Sequence, residues 1–281
     1  MIITTIKQLR GYLDTHRKSG KTIGLVPTMG FLHEGHLSLI RKAKAENNIV
    51  VVSDFVNPTQ FAPNEDFESY PRNIDRDEQL AMGAGADVIF YPSVEEMYLD
   101  GSSTFVEVEG NITKVLCGAS RPSHFKGVTT VVAMLFNIVQ PQKAYFGQKD
   151  AQQAAILIKM VTDLHINIEL TVCPIVREKN GLAMSSRNTY LSADERAQAV
   201  ILNKALLETK AVFESGETNI EKLKQRIIDK ISEAPLANID YVSIYEYPSL
   251  ETVETVKEKA LAAVAVRFGK TRLIDNIILK K

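Results

Sequence analysis

Two histidines three residues apart, His33 and His36, stand in the stretch Pro27-Thr28-Met29-Gly30-Phe31-Leu32-His33-Glu34-Gly35-His36, after the apolar run Ile23, Leu25, Val26 and before the helical pattern Leu37, Ile40, Ala43. This is where a strand hands over to a helix. A helix N-terminus presents unpaired N–H groups and a partial positive charge, which suit a phosphate. A charged histidine at that end opposes the dipole, so the pair is expected to be neutral or offset by a bound anion, and a polyphosphate is the simplest such anion. A zinc site fits poorly, because the pair straddles a loop, contains Gly35 and lacks the His-Glu-x-x-His spacing. A buried structural histidine pair is the alternative reading.

Three further polar clusters fit anion or small-molecule binding. Gly147-Gln148-Lys149-Asp150 leads into a helix with Gln152 and Gln153 in its first turn; a lysine at a helix start is unfavourable unless an anion sits there, and Gly147 lets the backbone approach it. The rival reading is an exposed Lys149 beside Asp150 acting as N-cap. In Gly181-Leu182-Ala183-Met184-Ser185-Ser186-Arg187-Asn188, two hydroxyls and a guanidinium can clamp phosphate oxygens, although such a string in isolation reads as a loop capping the next helix. Asn57-Pro58-Thr59-Gln60-Phe61 follows the apolar run Ile49 to Phe55. Asp75, Asp77 and Glu78 read as a solvated acidic helix start in preference to a magnesium feed.

The elements that must position these loops follow from hydropathy patterning. Short apolar runs at 23–26, 49–55, 88–91, 143–146 and 167–172 alternate with helical stripes such as Val128, Val131, Val132, Leu135, Phe136 and Val139, the pattern of a parallel sheet with crossover helices. In such an α/β sheet, ligands bind beyond the carboxyl ends of the strands, so the loops after three of these runs are expected on one rim. Past Arg187 the texture changes to two helical stripes (Ala197, Ile201, Ala205, Leu206; Ile220, Leu223, Ile227, Ile231) and strand-like runs at 241–245, 261–268 and 273–279. The expected organisation is a Rossmann-like α/β domain over residues 1–175 and a smaller C-terminal α+β domain over residues 176–281.

Composition narrows the classes. The 281 residues carry 33 basic and 34 acidic side chains, a formal net charge of -1, so no global field draws the chain to nucleic acid or an anionic membrane. Cys117 and Cys173 are far apart and fit a reduced protein without disulfide or zinc framework. The first residues (Thr4, Lys7, Gln8, Arg10) form no apolar signal core, and no run approaches the roughly 18 apolar residues that span a bilayer. A soluble cytoplasmic protein is expected.

His-x-Gly-His after the first long strand resembles the signature of the nucleotidylyltransferase-like superfamily, which includes class I aminoacyl-tRNA synthetases. The fuller set, PTMGFLHEGH (27–36), FVNPTQF (55–61), YPR (70–72), RPSHFKGVTTVV (121–132), YFGQKDAQQ (145–153) and GLAMSSRN (181–188), closely resembles, in order and across essentially the whole chain, the pantoate–β-alanine ligase (pantothenate synthetase) family. That resemblance implies a ligase that joins pantoate to β-alanine through a pantoyl-adenylate, consuming ATP and releasing pyrophosphate and AMP. It also implies a lid role for the C-terminal domain and a homodimer formed through the N-terminal domains. Carried over by position, Met29, Gly30, Phe31, Leu32, His33, Glu34, Gly35 and His36 form one ATP segment, with His36 at the proton-donor position. Gly147, Gln148, Lys149 and Asp150 form a second, and Val176, Met184, Ser185, Ser186 and Arg187 supply further nucleotide contacts. Gln60 and Gln153 match pantoate ligands, Gln60 also reaching β-alanine. His33, His36, Lys149 and Arg187 are the groups expected to stabilise charge developing on the phosphates. Mg2+ is expected to bridge those phosphates with mostly water ligands, so no protein metal site is assigned. Phe31 stands where the family often has alanine or asparagine, and Gln148 where it often has glutamate or lysine. The rival readings are a nucleotidylyltransferase using the same loop and a non-catalytic nucleotide sensor; RNA binding lacks a basic surface.

Overall fold

The computed structural model describes residues 1–63, 65 and 67–281. The strands are β1 (Ile2–Ile3), β2 (Ile23–Thr28), β3 (Ile49–Asp54), β4 (Val88–Phe90), β5 (Lys143–Gly147), β6 (Glu169–Cys173), β7 (Ala237–Glu246), β8 (Lys259–Phe268) and β9 (Thr271–Lys280). The helices are α1 (Ile6–Lys18), α2 (Glu34–Glu46), α3 (Ile74–Gly83), α4 (Val94–Met97), α5 (Cys117–Ser120), α6 (His124–Val139), α7 (Ala151–Asp163), α8 (Ala193–Ala199), α9 (Ile201–Glu214) and α10 (Ile220–Ile231). The chain divides into two compact units, Met1–Glu109 with Ser120–Gly147 and Ile156–Cys173, and Gly110–Ala119 with Gln148–Ala155 and Pro174–Lys281.

The first unit is built on a parallel six-stranded sheet of order β1-β4-β3-β2-β5-β6. Strand β3 is buried along its whole length, as a central parallel strand must be. Side chains alternate between two layers with the period of the pleat: Ile23, Leu25, Ile49 and Val51 pack with Leu9 and Leu13 of α1 and with α6, whereas Val26, Val50 and Val52 pack with Leu39, Ile40 and Ala43 of α2 and Ala81 of α3. The five expected parallel strands are all present, and β1, two residues paired to β4, adds an edge too short to leave a periodic signal. Connections run outward from β2 through β3 to β4, and β5 then returns to the other side of β2. The order therefore reverses between β2 and β5, and the crevice beyond their carboxyl ends is where an open α/β sheet takes its ligand.

The second unit holds an antiparallel sheet of order β7-β8-β9. One face, Ala260, Ala262, Val264, Val266 and Phe268 of β8, packs on Leu202 and Leu206 of α9 and Leu223, Ile227 and Ile231 of α10. The other face carries Ala263 and Ala265 opposite Asn276 and Tyr241. The segments 110–119 and 148–155 contact that face: Cys117 Sγ lies 3.5 Å from the Tyr241 hydroxyl, and the Asn276 amide donates to the carbonyls of Gln148 and Lys149 at 2.9 and 3.0 Å. Among the described residues, no helix is long and apolar enough to cross a membrane.

Thr209 in α9 is fully buried, and its hydroxyl finds no partner among the described residues. A buried hydroxyl without a hydrogen bond carries its desolvation cost uncompensated. Thr209→Val is therefore expected to stabilise the protein by about 1 kcal/mol, seen as a higher urea midpoint; an unchanged or lower midpoint contradicts this reading.

Candidate active site

The loop after β2 is shaped by residues far from it in sequence. Thr28 Oγ1 donates to the Ser53 carbonyl at 2.7 Å and accepts from the Gly30 amide at 3.2 Å. Gly30 has φ +77°, and a Cβ there would collide with Asp54 Oδ1, so only glycine fits. Phe31 also stands in the left-handed region, at φ 50°, which costs a non-glycine residue roughly 1–2 kcal/mol. The Asp77 carboxylate offsets that cost by receiving the amides of Phe31 and Leu32 at 2.6 and 2.7 Å. Asp77 is 1% exposed, which corrects the expectation of a solvated acidic helix start at this position; Asp75 is exposed as expected. The next side chain, Leu32, is buried among Val26, Leu39 and Ile40 and pins the entry to α2.

His33 is the N-cap of α2. Its Nδ1 accepts from the Gly35 amide at 3.1 Å, and His36 Nδ1 accepts from the His33 amide at 3.3 Å. A ring nitrogen that accepts an N–H carries no proton, so each imidazole carries its proton on Nε2. The rings stack with centroids 4.0 Å apart and planes inclined by 24°. The expected conflict with the helix dipole is thus met locally: the neutral rings cap the helix as an asparagine or serine would. Glu34 pairs with Arg41 on the same helix.

The loop after β3 is equally determined. Asn57, 1% exposed, caps the turn Pro58–Gln60; its Oδ1 accepts from Tyr98 Oη at 2.7 Å, and its Nδ2 donates to Gln60 Oε1 and to the Gly127 carbonyl, both at 3.2 Å. Gln60 Nε2 in turn lies 2.9 Å from Met29 Sδ, which brings the second loop to the first. The Gln60 carbonyl accepts from His124 Nδ1 at 2.8 Å and Arg121 Nη2 at 3.2 Å. Arg121 also grips Glu65 through two contacts of 2.6 Å. Burial alone would raise the Glu65 carboxyl, but the Arg121 hydrogen bonds, the Ala62 amide and the charge of Arg121 together hold it below the ordinary carboxylate range. Asn57, Arg121, His124 and Asp54 carry no individual assignment from the sequence, and Asp77 is read there only as part of a solvated helix start. Arg121, His124 and Gly127 were visible there as part of one motif, without a stated partner.

In the second unit, Gln148 and Lys149 are anchored through Asn276, and Lys149 Nζ lies 3.8 Å from Asp150 Oδ1. Gln152 is buried with both ends of its amide occupied, accepting from the Cys117 amide and donating to the carbonyls of Ile112 and Val115. Gln153 beside it is half-buried. Val176 receives the Met184 amide at 3.0 Å, Arg177 bridges to Ala183 backbone to backbone, and its guanidinium grips buried Asp275 at 2.6 and 3.0 Å. On this base stands the serine–arginine loop. Ser185 accepts from the Arg187 amide at 3.3 Å and caps the short turn Ser186–Tyr190. The cap of the following helix α8 is Ser192, which forms a capping box with Glu195.

A sheet with its switch point at β2 and a His-x-Gly-His loop on the carboxyl end of that strand define a nucleotide-binding α/β protein of the adenylate-transferring type. The sequence model of the pantoate-beta-alanine ligase family matches residues 1–278, and the chain belongs to that family, whose members are ligases forming a C–N bond. It is 57% identical to a pantothenate synthetase of Acetivibrio thermocellus over 279 residues, 99% of each chain. It is 55% identical to one of Carboxydothermus hydrogenoformans, over 99% of this chain and 98% of the other. Among solved structures, a Thermus thermophilus pantothenate synthetase has a TM-score of 0.94 at 44% identity, covering 100% of this chain and 99% of its own. A Francisella tularensis pantoate-beta-alanine ligase, complexed with beta-gamma ATP and beta-alanine, has a TM-score of 0.79 at 36% identity, covering 99% and 97%.

Gly127 of α6 lies directly on the Pro58–Gln60 turn, where an added Cβ would collide with the Thr59 carbonyl oxygen. Backbone cannot yield as a flexible side chain can. Gly127→Ala is expected to cost about 1–3 kcal/mol of stability, read as a lower unfolding midpoint in urea; an unchanged midpoint would show that the turn relaxes freely.

Proposed function

We propose that this chain condenses pantoate with β-alanine in two steps at the loops described above. In the first, an oxygen of the pantoate carboxylate attacks the α-phosphorus of ATP in line, forming pantoyl-adenylate and expelling pyrophosphate. In the second, the β-alanine amine attacks the acyl carbon, forming the amide of pantothenate and expelling AMP. The observation that carries this reading is the pairing of two stacked imidazoles that cap α2 through Nδ1 with a Gln60 amide fixed at Met29 on the neighbouring loop.

Charge builds on the α–β bridging oxygen and the leaving group in the first step, and preorganised donors act most strongly on such charge. His33 and His36 supply hydrogen bonds without adding a cation at the helix start. Lys149 and Arg187 supply charge, and Ser185 and Ser186 hydroxyl donors. The remaining nucleotide contacts are assigned to Met29 through His36, Gly147 through Asp150, Val176 and Met184. Gln60 and Gln153 orient pantoate as neutral amides, which fix oxygens without lowering the nucleophilicity of the carboxylate. Magnesium would accompany ATP and supply positive charge to its phosphates, with few or no protein ligands. Asp77 is not free to hold it, because its oxygens receive the backbone amides of Phe31 and Leu32.

Residues 1–175 serve in this reading as the ATP- and pantoate-binding domain and residues 176–281 as the lid, keeping water from a hydrolysable acyl-adenylate. The protein works as a cytoplasmic homodimer. Support for self-association comes from the exposed Phe105 and from a cavity of about 530 Å³ in the first unit lined by Val106, Phe136, Leu164 and Ile166.

Mixing the protein with ATP, magnesium, pantoate and β-alanine is expected to yield pantothenate and free AMP by mass spectrometry; a product that retains the nucleotide would indicate a nucleotidylyltransferase. His36→Ala is expected to lower pantoate-dependent exchange of pyrophosphate into ATP by roughly 10² or more, and near wild-type exchange in a folded variant removes His36 from its role. Gln60→Ala is expected to raise KM for pantoate more than KM for ATP; the opposite pattern counts against its assignment.

A further inference from the structure

The buried acid pair at the end of β3 and the start of α3 has no part in the reaction as proposed. Asp54 is 4% exposed and Asp77 1%, and both carboxyl groups lie against successive residues of one loop, Asp54 Oδ1 against Gly30 and Asp77 against the amides of Phe31 and Leu32. Two carboxyl groups buried together need a proton between them, because two anions in a dry site repel. Asp77 already receives the amides of Phe31 and Leu32 and, at 3.3 Å, Nη1 of Arg76. A group receiving three N–H donors is the acceptor, so the proton belongs to Asp54. The surroundings agree: burial, then the charge of Asp77, then the hydrogen bond to it push the Asp54 carboxyl up to about 7. Arg76 stands against Asp77, with Nη1 3.3 Å from Oδ1, and the imidazoles His33 and His36 follow further along the same loop. Asp75 and Glu78 of α3 lie two before and one after Asp77 and so do not share its face.

We propose that Asp54 is a positioning residue for the 29–36 loop: by donating to Asp77 it fixes that carboxylate beneath the amides of Phe31 and Leu32, and so sets where the His33 and His36 rings stand. Its consequence for ATP rests on the reading of this loop as an ATP segment. The geometry leaves little slack, since the Gly30 backbone lies so closely on the Asp54 carboxyl that no Cβ fits between them, and Phe31 is held in a left-handed conformation. Ionisation of Asp54 sets a second negative charge against Asp77 and removes the donor. The folded-state carboxyl is raised from an ordinary 3.8 to about 7, so its contribution to folding is full below the ordinary value and is lost as pH rises through about 7.

The test is hydrogen–deuterium exchange of the peptide containing Phe31 and Leu32 in the ATP-free protein at about pH 6 and about pH 8, corrected for intrinsic rates, with KM for ATP in pyrophosphate exchange measured at the same pH values. Wild type is expected to lose protection roughly tenfold between the two. Asp54→Asn, whose amide donates to Asp77 at either pH, is expected to keep its protection at the higher pH, and Asp54→Leu to lack it at both. KM for ATP is expected to rise with the loss of protection by a similar factor, with a smaller change in kcat. Wild-type protection in Asp54→Leu, or a wild-type pH dependence in Asp54→Asn, overturns the proposal; where Asp54→Leu fails to fold, the near-isosteric asparagine variant decides alone. Protection that follows expectation while KM for ATP stays constant leaves the positioning role standing and overturns the ATP reading of the loop.

Discussion

Two backbone amides, those of Phe31 and Leu32, end on one buried carboxylate, and the placement of the histidine loop depends on that contact. A strand leaving a parallel sheet can enter its helix in many ways. Here the path is narrowed by Gly30, which must pass over Asp54, by Phe31, which is held left-handed, and by Leu32, which is buried in the layer between the sheet and α2. Each of these is weak as a local preference, and Phe31 opposes its own. Asp77 closes the set from another helix, so the loop conformation is a tertiary property and not a turn type.

The same economy of donors governs the imidazoles. A helix N-terminus has four amides without intrahelical partners, and a nucleotide site must leave donors for its ligand while satisfying these. His33 and His36 meet the second demand: each accepts an amide at Nδ1 and so carries its proton on Nε2. A protonated ring could not accept at Nδ1, so the capping bonds themselves keep the rings neutral beside the helix dipole. The sequence pointed to the conflict between histidine and dipole and named a bound anion as its simplest resolution. The hydrogen bonds reveal a resolution internal to the chain, in which the capping amides themselves require the neutral rings.

What could be read from the residues alone was what repeats. Alternation along 49–55 and the stripe from Val128 to Val139 carry the pleat and the helix turn in every few residues, and strands and helices follow from them. The His-x-Gly-His loop was legible because its partners are three residues apart. Asp54 and Asp77 were not, because nothing local distinguishes a buried aspartate from a solvated one; Asp77 sits in a polar run beside an exposed Asp75, and only the packing of α3 on the sheet decides between them. The two-residue β1 is too short for any period. The joining of 148–155 to the C-terminal sheet rests on one asparagine, Asn276, more than a hundred residues away.

The neutrality of the Gln60 loop follows from charges cancelled nearby. Arg121 stands within reach of the Gln60 carbonyl, and an uncompensated guanidinium there would attract a carboxylate substrate strongly while withdrawing the electron density its attack requires. Glu65 takes that guanidinium through two short hydrogen bonds, and the arginine in return keeps the Glu65 carboxyl ionised against its burial. The pair is therefore self-contained, and what Arg121 gives the turn is a hydrogen bond to the backbone, shared with His124. Asn57 fixes the other end of the same glutamine by donating to Oε1, which leaves the amide oriented with Nε2 at Met29. Held from its carbonyl and from its side chain, Gln60 is preorganised without charge, and orientation is what a positioning residue must supply to a weak nucleophile. The two loops thus meet through one contact, Gln60 Nε2 on Met29 Sδ, each held by its own set of buried hydrogen bonds.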